Sequence, residues 1–101
     1  MAIGLKQITS CLGYQQITSL SSATGLTVPA RDANGNVQQP VLAVIIAETQ
    51  AVRWRDDGTA PTSTVGMPLA TGQVLEYTGD LSKIKFIEQS GSAKLNISYY
   101  A

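Results

Sequence analysis

An all-β fold, a single small β-sandwich of jelly-roll type with seven to eight short antiparallel strands, is what this sequence predicts. Three observations carry the prediction. Apolar and polar residues alternate with period two through residues 83–88 and 93–100, as half-buried strands do. Gly, Pro and Asn interrupt the chain at short intervals, among them Gly13, Pro29, Gly35, Pro40, Gly58, Gly72, Gly79 and Gly91. No apolar stripe of helical period runs for any length. At 101 residues the chain is one domain, 1–101, able to bury roughly two thirds of its unfolded surface in a single core.

In chain order, residues 5–20 hold a short echo, Lys6-Gln7-Ile8-Thr9-Ser10 and then Gln15-Gln16-Ile17-Thr18-Ser19, rich in β-branched and hydroxyl residues with Gly13 between. Two short strands, or one strand with its lead-in, account for it. The alternative is an extended N-terminal arm, residues 1–12, lying across a neighbouring subunit, which makes Ile3 and Leu5 contact candidates. Residues 21–25 read as a loop or a weak edge, and Leu26-Thr27-Val28 resumes the alternation before Pro29 stops it. Asn34-Gly35 favours a tight turn in which both central residues take positive φ, so a projecting hairpin tip is expected around Arg31 and Asn34. Asp32, Asn34 and Asn36 copy the first ligands of a calcium loop, but Val37 stands where that motif needs glycine and Ala43 where it needs glutamate, which sets calcium aside.

After Pro40, the apolar run of residues 41–47 is too short for a helix and rich in β-branched residues, which predicts a central strand buried on both faces. Glu48-Thr49-Gln50 turns the chain. In residues 51–55, alternation puts Val52 and Trp54 on one face and Arg53 and Arg55 on the other. Asp56-Asp57-Gly58 closes that strand, and residues 59–64 form a polar loop containing Pro61. Residues 73–77 are a strand after Gly72, broken by Gly79-Asp80. In the next strand Ile84 and Phe86 share a face opposite Lys83 and Lys85. After the turn at 89–92, Ala93, Leu95, Ile97 and Tyr99 point one way while Lys94, Asn96, Ser98 and Tyr100 point the other.

Charge and composition exclude several functions. Lys+Arg is 7 and Asp+Glu is 7, so the net charge is zero and no positive field draws in nucleic acid. The same neutrality removes the repulsion that keeps copies apart, which permits a homo-oligomer. There is no histidine, which rules out the usual zinc sites and every His-based triad, and the single cysteine, Cys11, reads as a buried small hydrophobe rather than a reactive thiol. No basic segment followed by a long apolar run opens the chain, and residues 41–47 are far shorter than a membrane span, so a soluble protein made in the cytoplasm without a membrane partner is expected. Paired carboxylates remain as a catalytic device among Asp56, Asp57, Glu76, Asp80 and Glu88, but nothing marks two of them as facing each other. The expectation is a protein that is not an enzyme and has no cofactor or metal.

The stretch from Val52 to Thr62 is the densest in the chain and contains its one tryptophan. Trp54 between two arginines has two readings, a stacking platform for a sugar or a base, or a core residue beside Val52 with Arg53 and Arg55 turned out to pair with Asp56, Asp57 or Glu76. On the core reading, Arg53, Arg55, Asp56 and Asp57 become candidates for contact with another protein.

The string Ala51-Val52-Arg53-Trp54-Arg55-Asp56-Asp57-Gly58-Thr59-Ala60-Pro61-Thr62 resembles a group of small virion structural proteins encoded by tailed bacteriophages and prophages. So do Val65-Gly66-Met67-Pro68-Leu69, Glu76-Tyr77, Gly79-Asp80-Leu81, the closing Lys94-Leu95-Asn96-Ile97-Ser98-Tyr99-Tyr100, and the earlier Gln16-Ile17-Thr18-Ser19-Leu20 and Thr24-Gly25-Leu26-Thr27-Val28-Pro29. The resemblance implies a compact β-sandwich in the virion with no catalytic residues. Residues 31–39 are longer than that group's passage into the buried strand, which marks the hairpin as a contact particular to this particle. The role it implies first is a head decoration or cement protein, a homo-oligomer bound to the major capsid protein. A neck, tail or fibre-attachment component is the second. A carbohydrate-binding adhesion module is a third, and needs Trp54 or the Tyr99-Tyr100 pair exposed in a groove.

Overall fold

The computed structural model describes residues 10–29 and 39–101. Every element in it is a strand: β1 (Cys11–Ile17), β2 (Thr24–Gly25), β3 (Leu42–Glu48), β4 (Val52–Arg55), β5 (Met67–Leu69), β6 (Val74–Tyr77), β7 (Lys85–Glu88) and β8 (Lys94–Tyr100). They form two four-stranded antiparallel sheets, β1-β8-β3-β6 and β2-β7-β4-β5. Strands pair as β1 with β8, β2 with β7, β3 with β6 and β4 with β5, which is one long hairpin rolled into two layers. This is jelly-roll topology. The β4–β5 connection, residues 56–66, is the tip of that hairpin, while the β1–β8 pair joins the two ends of the described chain, with Ala101 N–H donating to the Ser10 carbonyl at 3.0 Å.

Period-two alternation fills the space between the sheets. Ala43, Ile45 and Ala47 of β3 and Leu95, Ile97 and Tyr99 of β8 are buried from one layer, Val52, Leu69 and Phe86 from the other, with Leu20, Leu81 and Ile84 closing the ends. Register matches large to small: one row across the first sheet runs Gly13, Tyr99, Ala43, Tyr77. Trp54 of β4 meets Tyr77 of β6 edge to face across the layers, at 6.0 Å between ring centroids and 66° between planes.

Five expectations change. Cys11 is exposed, because a bulge between Cys11 and Gly13 turns it outward and sends Leu12 into the core. Gly13 lies inside β1 rather than between two strands, opposite Tyr99, and a Cβ added to it would make only ordinary contacts with the Pro29 ring, at 3.6 and 3.8 Å. The weak edge at 21–25 supplies β2, which pairs Thr24 with Phe86, whereas 26–28 forms no ladder; Leu26 and Val28 still pack on the core and Thr27 N–H donates to Gln15 Oε1 at 3.1 Å. β3 is buried on one face only, with Leu42, Val44 and Ile46 half-buried on the outside. The fifth concerns Arg53 and is described below. Of the proposed arm 1–12, Ser10 to Leu12 sit beside β8 of the same chain, and residues 1–9 lie outside the described residues.

Candidate interaction surface

β4 sets the geometry of the candidate corner. Val52 is fully buried and Trp54 is half-buried against the core, so Arg53 and Arg55 stand on the outer face of the second sheet. Arg53 is expected to be exposed and paired with Asp56, Asp57 or Glu76, but it is half-buried and bonds to backbone instead: its Nη1 donates to the Gly66 carbonyl at 2.8 Å, and its Nε is buried without a partner. Arg53 is in register with Pro68 of β5, and its bond to Gly66 holds the end of the tip loop against the sheet. Gly66 accepts this contact at φ 146°, a conformation that side chains rarely adopt.

Arg55 and Asp57 form a two-pronged pair, Nη2 to Oδ2 at 2.5 Å and Nε to Oδ1 at 3.0 Å. That hydrogen bonding holds the Asp57 carboxyl down at about 2, and it raises the Arg55 guanidinium in turn. Asp57 Oδ1 also accepts from Thr59 N–H at 3.3 Å, which ties the pair to the turn. The neighbouring Asp56 faces the other way and accepts from the Tyr77 hydroxyl at 2.6 Å, linking the turn to the opposite sheet. Burial first, and this carboxylate second, push the Tyr77 phenol up to about 12.

The tip loop is closed by its own backbone. Thr62 N–H donates to the Val65 carbonyl at 2.9 Å and Val65 N–H returns to Thr62 Oγ1 at 3.0 Å. This tight turn drives Val65 outward at 52% exposure, and the following strand leaves Met67 at 57%. Together Arg55, Asp56, Asp57, Val65, Gly66 and Met67 line an open depression of about 410 Å³. Apolar side chains beside a paired arginine make a surface suited to a protein partner, since Met and Arg are enriched at interfaces and the ion pair needs no further counter-charge.

Four of the eight contact candidates, Arg53, Arg55, Asp56 and Asp57, therefore meet at one corner, two by clamping the loop and sheets and two by forming the exposed pair. Arg31, Asn34, Ile3 and Leu5 lie outside the described residues, as does the calcium-like Asp32 to Asn36 stretch. Sequence reasoning missed Val65 and Met67; their signal was two isolated apolar residues around a glycine at the end of a polar loop. Of the rings a sugar platform would need, Tyr99 is buried, Trp54 is half-buried with its edge-to-face contact to Tyr77, and Tyr100 is half-buried on the outer face of the first sheet. Among the described residues no group of three or more Cys, Asp or Glu is placed to hold a metal, and no helix is long and apolar enough to cross a membrane. No family model, curated protein or solved structure matches the chain.

Proposed function

We propose that this chain is a non-enzymatic structural protein of a bacteriophage virion, a head decoration or cement protein that binds the capsid lattice through the β4–β5 corner. The observation that carries the reading is the exposed Val65 and Met67 beside the Arg55–Asp57 pair, held on a rigid jelly-roll frame. The sequence resemblance supports the virion setting. The fold adds a fold-level analogy, since jelly rolls recur in capsid and lectin domains. A small contact of this kind gains strength by repetition: many copies on one lattice hold through many modest sites.

Purified particles test it. Quantitative mass spectrometry of intact virions is expected to find hundreds of copies per particle, and Met67→Asp is expected to lower that occupancy at least tenfold while the isolated protein still folds. A handful or a dozen copies per particle would overturn decoration in favour of the neck or tail, and absence from the particle would overturn the virion reading altogether.

A further inference from the structure

The two outer faces of the sandwich differ in chemistry. The second sheet turns Arg53, Arg55 and Lys85 outward with Ile87 and Pro68 between them, Arg55 being paired with Asp57. The first sheet, β1-β8-β3-β6, turns Leu42, Val44 and Ile46 outward along β3, flanked by Tyr100, by Tyr14 at 63% exposure and by Val74 at 53%. A solvated sheet face is normally polar at these positions. β3 carries the pattern of a strand buried on both sides, and the described chain covers only one.

We propose that this face is a self-association surface, and that two copies pack it together about a two-fold axis running parallel to the strands between β3 and β8. Register decides what such an axis would bring together. Rows across the face are Tyr100–Leu42, then Tyr14–Ser98–Val44–Glu76, then Gln16–Asn96–Ile46–Val74, then Lys94–Glu48. The axis lays β3 of each copy over β8 of the other, and β6 over β1. Leu42 then meets Tyr100, Val44 meets Ser98, Val74 meets Gln16, and Glu76 faces the Tyr14 edge. At the far end, Glu48 of each copy faces Lys94 of the other, so two opposite-charge pairs form symmetrically. Zero net charge adds no overall repulsion between copies.

The polar centre of the face is already prepared for burial. Asn96 Oδ1 accepts from Tyr14 Oη and from Gln16 Nε2, and Asn96 Nδ2 donates to Glu48 Oε1. Oδ1 thus has two donors and Nδ2 one acceptor, so covering this amide leaves only its second N–H to be paired, which lowers the cost of drying a polar site. The face measures at most about 19 Å across four strands and about 23 Å along seven residues. That is smaller than the roughly 800 Å² that each partner contributes to a standard interface, so the dimer is expected to dissociate on dilution. The inference goes beyond the virion reading and needs only a second copy of the chain.

Charge reversal tests the pairing. Sedimentation of the purified protein over a dilution series reaching millimolar concentration is expected to show a dimer at the upper end. K94E and E48K, each alone, set like charges opposite each other twice per dimer and are expected to halve the mass at that concentration. Mixing the two single variants restores opposite charges at both contacts, so a mixed dimer is expected to return, which no effect within one chain would produce. Val44→Lys is the second disruptive variant, with Trp54 fluorescence on the other sheet reporting that the fold survives. A wild-type protein that stays monomeric at millimolar concentration, single variants that dimerise like the wild type, or mixed variants that remain monomeric would each overturn the proposal. A dimer that never binds particles would sink the virion reading alone, and a monomer that decorates particles would sink this one alone.

Discussion

Tyr77 links more of the structure than any other side chain near the corner. Its ring meets Trp54 across the layers, its hydroxyl donates to Asp56 at 2.6 Å, and Gly79 lies so close to the phenol that an added Cβ would overlap it. Burial raises both the Tyr77 and the Tyr99 phenol to about 12. An unfolded tyrosine ionises near 10, so below that pH both states are neutral and the stabilisation is complete; above it the unfolded chain loses its protons first. Stability is therefore expected to fall as pH rises from about 10 through 12. Tyr77→Phe should cost roughly 1–3 kcal/mol at neutral pH, through the lost bond to a carboxylate. It should also flatten the alkaline fall, because one of its two sources is gone. Urea unfolding of both proteins at several pH values checks this, and an unchanged alkaline slope in the variant would show that Tyr77 is not a source.

At the scale of elements, the tip between β4 and β5 shows how a loop without secondary structure is fixed. Arg53 pulls on the Gly66 carbonyl, Thr62 and Val65 close a turn, and Asp57 caps Thr59. Gly66 is the tightest point: at φ 146°, an added Cβ would lie 3.1 Å from Arg53 Cβ and 3.2 Å from both Pro61 Cβ and the Trp54 carbonyl. Gly58 also has positive φ, 90°, but nothing lies within 4 Å of its would-be Cβ. Gly66→Ala should thus cost roughly 2–4 kcal/mol from strain and crowding together, and Gly58→Ala only about 1 kcal/mol from strain. Thermal melts of the two variants read the difference, and equal losses would mean that the crowding at Gly66 is relieved by movement of the loop. β2 offers the opposite lesson. Two residues suffice for a strand there because Phe86 and Lys85 present a ladder, while the better-patterned 26–28 finds no partner.

For the whole molecule, the jelly roll places its first and last strands side by side, so Cys11 pairs with Tyr100. Closing such distant pairs makes folding slow, in the millisecond-to-second range typical of all-β sandwiches. β8 lies between β1 and β3 at the centre of the first sheet, and its Ile97 is fully buried between Gln15 and Ile45. Ile97→Ala is expected to cost roughly 2–5 kcal/mol, a large share of the 5–15 kcal/mol that holds a domain together. Stopped-flow refolding and equilibrium urea unfolding measure both quantities. Refolding in microseconds would contradict the long-range pairing, and a loss well under 1 kcal/mol would contradict the central place of β8.

The sequence by itself determined the all-β class, the strands β3, β4, β6, β7 and β8, the inward set of β8 and β7, the turns at 48–50, 56–58 and 89–92, and the split of β4 into Val52 with Trp54 and Arg53 with Arg55. Each of these follows from alternation and turn chemistry, which act between neighbours in the chain. It also brought Arg55, Asp56 and Asp57 together, since they are consecutive. Tertiary structure alone decided the short strand β5, the exposure of Cys11, the clamp from Arg53 to Gly66, the partition of Asp56 and Asp57 between opposite sides of the corner, and an outer face of β3 that no other described strand covers. These depend on which strand lies opposite and in what register. Periodicity tells a strand that its two faces differ or agree; only the neighbouring layer determines whether an apolar face is covered by the same chain or left for another.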